Sequence, residues 1–189
     1  MKTELLDQNI LIRPYRAEDL DALYEAARES IREVSTWLPW CHADYSKEES
    51  SAYILSRDEA WSNGSEYSFG IFDARTGAFL GGVGLNQINR MHMMANLGYW
   101  VRSSSTKRGV ASKATRLVAR FGLEELGLQR IEIVVAVDNW ASQRVAEKVG
   151  ATREGILRKR LLIHGRPQDA LMYSLVAEDL DALRMPQEG

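Results

Sequence analysis

The chain has 189 residues, 45% hydrophobic and 26% charged, with a formal net charge of −2 at pH 7. Such proportions suit an ordinary globular protein with material for a core, and the near-neutral balance supplies no overall field toward nucleic acid or membrane. Lone Cys41 excludes an internal disulfide, no run is long and apolar enough to span a bilayer, and the start lacks a signal-peptide profile.

No repeat, low-complexity tract or Pro/Gly-rich linker marks a boundary. The expectation is therefore one cytoplasmic domain over 1–189, with its core at about 8–178 and a short C-terminal tail.

In chain order, Ile10 to Pro14 reads as a short strand closed by its proline. Ala17 to Ile31 follows as an amphipathic helix with Leu20, Leu23, Tyr24, Ala27 and Ile31 on one face. Trp37-Leu38-Pro39-Trp40-Cys41-His42 forms an apolar, aromatic elbow. A second helix runs from about Ser46 to Trp61 and stops at Asn63-Gly64. Strands are expected at about Tyr67 to Asp73, Phe79 to Ile88 and Met94 to Val101, the first two joined by a turn at Thr76-Gly77.

The run from Leu97 to Lys113 is the most informative stretch. An apolar strand passes through a serine-rich bend into a helix whose Val110, Ala114, Leu117, Val118 and Phe121 recur at helical spacing. The first amides of a helix have no partner inside it, and the macrodipole adds positive character there. Lys107 and Arg108 sit where that dipole disfavours cations, a penalty that a bound anion would reverse. Gly109 and Ala111 leave room for an anion to approach the backbone. The plainer alternative is a loop capped by Thr106 with two solvated basic residues.

Arg130 to Val137 is apolar on both faces at its centre, as in a strand inside a sheet. Asp138-Asn139-Trp140 ends it, and a short helix runs to Gly150. Strands at about Thr152 to Ile163 and Gln168 to Val176 flank a turn at residues 164–167. The order is β-α-α-β-β-β-α-β-α-β-β. This is an α+β arrangement with a mixed sheet of about seven strands covered by helices, not a doubly wound nucleotide fold.

On these residues the chain resembles the GNAT superfamily of acetyl-CoA-dependent N-acetyltransferases. It is most similar to the branch that acetylates N-terminal alanine or serine of ribosomal proteins. The superfamily's Gln/Arg-x-x-Gly-x-Gly/Ala motif is matched by residues 106–111 at Gly109 and Ala111, with Thr106 departing from it. The runs at residues 138–142, 147–151 and 153–155, the elbow at 37–40 and Leu97-Gly98-Tyr99-Trp100 are similar to the branch as well. Their order along almost the entire chain is more specific than any one match.

The resemblance implies a mostly antiparallel sheet with helices on both faces and acetyl-CoA as co-substrate, with no metal. It places the cofactor on Trp100, Val101, Arg102, Thr106, Lys107, Arg108, Gly109, Val110, Ala111 and Ser112. The diphosphate would sit on the amides from Lys107 to Ser112. The pantetheine arm would run between strands splayed at Val101 and Asp138, pairing with backbone as an added strand does. Asn139 would offer its amide to the arm; as a turn residue, it would instead cap the next helix.

Ser142 lies one helical turn beyond Asn139, which the resemblance puts near the thioester sulfur. Amine attack yields a tetrahedral intermediate whose departing thiolate needs a donor. A serine hydroxyl is too weak an acid to be tuned to neutral pH, so its expected role is a hydrogen bond to sulfur; the alternative is an ordinary surface serine. Many members place a tyrosine acid in the next strand, but none lies between Gly150 and His164. Relatives often carry a glutamate base at the position of Asn96, which here can only orient water. Glu132 and His42 are weaker candidates.

An α-amine titrates near 7.7–8.0 and a lysine amine near 10.4, so the lack of an obvious base favours an α-amine acceptor. Trp37, Trp40, Trp61 and His42 are candidates for the acceptor groove, with core packing the commoner use of such tryptophans. His92 and His164 are too scattered for a metal site. The implied acceptor is a protein N-terminus, with a small-molecule amine or an acyl-CoA-binding module without turnover as alternatives. Nucleic acid ranks last because the basic residues are local, no membrane partner is expected, and the resemblance allows a homodimer.

Overall fold

The computed structural model describes residues 4–7 and 9–182. Residues 1–3, 8 and the tail from 183 onward, which the expected domain bounds include, lie outside the described residues.

Eight strands form one sheet: β1 (Leu5–Asp7), β2 (Ile10–Pro14), β3 (Tyr67–Asp73), β4 (Phe79–Asn89), β5 (Met94–Val101), β6 (Arg130–Ala136), β7 (Thr152–Ile163) and β8 (Arg166–Leu175). Their spatial order is β1-β2-β3-β4-β5-β6-β8-β7. Every neighbouring pair is antiparallel except β5 with β6. The eighth strand is β1, which pairs Leu5 with Ile12 and Asp7 with Ile10. Three residues are too few to show an alternation, so its sequence carries no strand signal.

Alternation along β5 sorts the core into two layers. Ala95 and Leu97 are buried on one face, and Tyr99 and Val101 pack against the same cluster. There they meet α3 (Val110–Arg120), whose Val110, Ala114 and Val118 recur at helical spacing, and α4 (Trp140–Lys148), which contributes Ala146. Trp100 points the other way, into a smaller cluster with Tyr15, Phe72 and Phe79. Leu23 and Ala26 of α1 (Leu20–Val34) and Ile54 of α2 (Lys47–Asn63) cover that cluster.

The helices start and stop where the chain has the chemistry for it. Ser46 Oγ accepts from Glu49 N at 3.3 Å and Glu49 Oε2 accepts from Ser46 N at 2.9 Å, a reciprocal cap on α2. Gly64, at φ +66°, closes that helix. Before α1, Asp19 takes two 2.7 Å hydrogen bonds from Arg13 in a buried fork. Helix α1 buries Leu23, Ala26, Ala27, Ser30 and Val34, a stripe rotated from the expected one so that Ser30 faces inward. After α3 the chain makes one π turn, Phe121–Glu125, and a short helix α5 (Ala177–Ala182) follows β8.

Trp61, partly buried, packs against the core and not into the groove. Its ring packs against Tyr67, Phe69 and Phe121, and Nε1 donates to Ser68 O at 3.1 Å.

Candidate active site

Strands β5 and β6 are paired only at their starts, through Met94–Arg130, Ala95–Ile131 and Asn96–Glu132. Beyond those positions the strands part. The facing edges of Leu97–Val101 and Ile133–Ala136 line a groove of about 740 Å³. Strand edges left open in this way offer N–H and C=O groups to an extended, amide-bearing ligand.

At one mouth of the groove the serine-rich bend is fastened to α1. Ser103 N donates to Ser30 Oγ at 3.0 Å, Ser104 N to Glu29 Oε1 at 2.8 Å, and Ser103 Oγ to Glu33 at 2.7 Å. Arg102, which the resemblance gave to the cofactor, ion-pairs with Glu29 at 2.5 Å. Burial pushes the Glu29 carboxyl up, but its bonds from Ser104 and Arg102 outweigh that and leave it below the usual carboxylate range. The rotated stripe of α1 has a purpose here, since inward-facing Ser30 is one of the fastenings.

The next residues have the opposite character. Lys107 at φ +60° and Gly109 at φ +75° both take left-handed backbone. The amides from Lys107 through Ser112 have no acceptor among the described residues, and the first helical bond of α3 is Lys113 N to Gly109 O at 3.1 Å. Successive amides turned outward at a helix start form a concave anion site. Gly109 is the residue that caps α3, and a Cβ built there meets nothing within 4 Å. Thr106 is not a cap: its hydroxyl donates back to Ser103 O at 2.9 Å. Lys107, Val110, Ala111 and Ser112 line the groove, as does Thr106, whereas Arg108 does not.

Further in, α4 meets β5. Asn139 caps α4, with Oδ1 accepting from Ser142 N at 3.1 Å, so its carbonyl oxygen is used while its NH₂ has no partner among the described residues. Gln143 anchors the helix by donating to Val137 O at 2.7 Å. Ser142 lies at the groove wall with Oγ 2.7 Å from the hydroxyl of Tyr99, which is also 3.1 Å from Ser142 O. Burial pushes the Tyr99 phenol up to about 12, the hydrogen bond with Ser142 only partly opposing it.

Tyr99 is the site residue that sequence reasoning did not single out. Its strand alternation places it on the helix-facing side with Leu97. The partner stands 43 positions away, and no periodicity reports that distance.

Asn96 points from the opposite face of β5 and donates to Asn86 Oδ1 at 2.9 Å. Both asparagines line the groove, as do Trp37, Trp100 and Val101. Trp40 does not line it; its ring packs edge-on against Trp100 at 5.4 Å and Tyr45 at 5.6 Å. His42 is exposed on Glu49 at 2.9 Å, also outside the lining. Glu132 accepts from Arg130 Nε at 3.0 Å. Among the described residues no three His, Cys, Asp or Glu side chains cluster as metal ligands, and no helix is long and apolar enough to cross a membrane.

This split sheet with an amide-lined loop at its mouth matches a known family. Residues 9–152 match the acetyltransferase (GNAT) domain. The chain is 32% identical to "Probable N-acetyltransferase YjcK" of Bacillus subtilis (strain 168) over 93% of its own length and 98% of that protein's. It is 24% identical to the ribosomal-protein-serine acetyltransferase of Escherichia coli (strain K12), over 76% of this chain and 81% of the other. The structure of Mycobacterium smegmatis RimJ in complex with CoA-disulfide superimposes with a TM-score of 0.83 at 25% identity, covering 90% of this chain and 83% of that one.

The chain belongs to the GNAT acetyltransferase family and is an acetyl-transferring enzyme. Its eight-stranded, mostly antiparallel sheet is the family's fold.

Proposed function

We propose that this enzyme transfers acetyl from acetyl-CoA to the N-terminal α-amine of a protein, by direct attack in a ternary complex. The observation that carries the donor is the row of unpartnered amides from Lys107 to Ser112, placed where the groove between β5 and β6 opens. Coenzyme A has a diphosphate for the first feature and an amide-rich arm for the second. The residues fit the group. Gly109 and Lys107 turn the amides outward, Ser112 adds a hydroxyl, and the unpaired edges of β5 and β6 accept the arm as an extra strand. The free NH₂ of Asn139 is a further donor to it.

Bound there, acetyl-CoA supplies an activated acyl group with a thiolate leaving group. Ser142 stands on α4 beside the groove, and its hydroxyl donates to the departing sulfur. The acceptor enters from the side lined by Trp37, Asn86 and Asn96. No carboxylate stands at position 96, so the amine arrives neutral or loses its proton to water. An α-amine titrating near 7.7–8.0 meets that condition far better than a lysine at 10.4. The name of the Escherichia coli relative supports a protein acceptor.

The test is thiol release from acetyl-CoA with peptides of varied N-terminal residue beside a panel of small amines. Turnover with an unblocked peptide, lost on blocking its α-amine, supports the reading. Turnover with small amines alone replaces the acceptor, and coenzyme A binding without turnover removes the enzyme step. Buried Cys41, its thiol pushed up to about 11 by burial, suits the reducing cytoplasm in which we place the protein.

A further inference from the structure

The two walls of the split groove are tied together by one side chain. Tyr99 leaves β5 just past the last β5–β6 pair, and its hydroxyl reaches both Oγ and the main-chain oxygen of Ser142 on α4, at 2.7 and 3.1 Å. We propose that Tyr99 is a positioning residue for thioester cleavage, donating a hydrogen bond to Ser142 Oγ so that the serine's own hydrogen points at the leaving sulfur. This inference rests on the donor reading given above.

The direction of the bond follows from counting hydrogens. A phenol has one, and it goes either to Oγ or to the carbonyl. The 2.7 Å contact to Oγ has the ordinary O–H···O length, whereas the Ser142 carbonyl is 3.1 Å away and, inside α4, already accepts from the amide four residues on. Ser142 Oγ has no other donor among the described residues. If the serine donated to the phenol instead, its hydrogen would be turned away from the groove and the sulfur would have none. Only the first arrangement leaves a donor aimed at the substrate.

Tyr99 does not itself give up a proton. Buried as it is, it holds that proton more tightly than a thiol does. When the C–S bond breaks and the amide C–N bond forms, the amine loses one proton and the sulfur gains one. Water carries it, Ser142 keeps its hydrogen while bonding the sulfur, and Tyr99 ends the cycle as it began. Its contribution is orientation.

The test uses Tyr99→Phe, Ser142→Ala and the double variant, each measured for kcat, KM, coenzyme A affinity and Tm. Tyr99→Phe is expected to lower kcat about tenfold, the size of one lost hydrogen bond, with KM and coenzyme A affinity within about twofold. The double variant is expected to be no slower than Ser142→Ala alone, because the phenol acts through the serine. Losses that multiply, or an unchanged kcat in Tyr99→Phe, overturn the role.

A second variant covers misfolding. With 3-fluorotyrosine at 99 the hydroxyl and the ring shape are kept, so kcat is expected to stay within about threefold of the unaltered enzyme; a loss as large as that of Tyr99→Phe overturns the role. Failure of the unaltered protein to bind coenzyme A overturns the donor reading and this role with it. Intact binding with unchanged kcat in Tyr99→Phe removes this role alone.

Discussion

Asn96 donates its side-chain amide to Asn86 at 2.9 Å across β4 and β5, on the face of the sheet opposite Tyr99. Neither residue titrates, so the pair shapes the acceptor side of the groove without supplying a base. The rate is then expected to follow the acceptor's own ionisation. At pH 7.4 roughly a third of an α-amine is neutral against about one part in a thousand of a lysine amine. We expect kcat/KM for an unblocked peptide to rise with pH and level near 8. Matched lysine side chains should react about two orders of magnitude more slowly. Initial rates on the two acceptors from pH 6 to 9 measure this.

Gly109 isolates the cost of the anion loop's shape. Its φ of +75° disfavours any side chain, yet an added Cβ has open space around it. Gly109→Ala therefore carries a conformational penalty of about 1–2 kcal/mol without a clash within the chain. Coenzyme A affinity is expected to fall about tenfold as the loop relaxes from its binding shape. A Tm drop of only a few degrees should accompany it, as calorimetry and thermal melts can show together.

Gly82 is constrained by space and not by angle. A Cβ there would stand 2.5 Å from Tyr15 Oη and 2.7 Å from Trp100 Nε1. Gly82→Ala must displace the Tyr15 hydroxyl and the Trp100 indole, which also lines the groove, at about 1–3 kcal/mol. Tm should fall and the tryptophan fluorescence change, with coenzyme A affinity less affected than peptide KM.

Much of the layout was readable before any coordinates. Strands β3, β5 and β7 begin and end at the expected residues because alternation and flanking turns coincide there. The outward amides after Thr106 follow from a glycine placed just ahead of a helix, a local pattern. The uses of the serine bend were not readable. Its partners Glu29, Ser30 and Glu33 lie some 70 positions earlier, and a run of serines does not say which helix it will meet. The Tyr99–Ser142 contact has the same cause. In each case a side chain's neighbour is set by how layers stack, which periodicity along one segment does not encode.

Away from the groove, Glu154 carries a two-pronged bond from Arg130, both arms 2.6 Å, and a third from Ser174. The Arg130 guanidinium, with Ser174, holds its carboxyl down at about 2. A carboxyl depressed on folding adds stability above its ordinary pKa of about 4.5, which is lost as pH falls toward 2. The side chain is 39% exposed, so solvent screening limits the gain to about 1 kcal/mol or less. Glu154→Gln should flatten Tm against pH between 2 and 4.5 and leave turnover intact.

The most direct measurement titrates coenzyme A, and separately pantetheine, into the protein by calorimetry. Saturable one-to-one binding of coenzyme A, with pantetheine at least tenfold weaker for want of the diphosphate that residues 107–112 grip, is the predicted result. Equal affinity for both, or no binding of coenzyme A at all, would contradict the donor site outright.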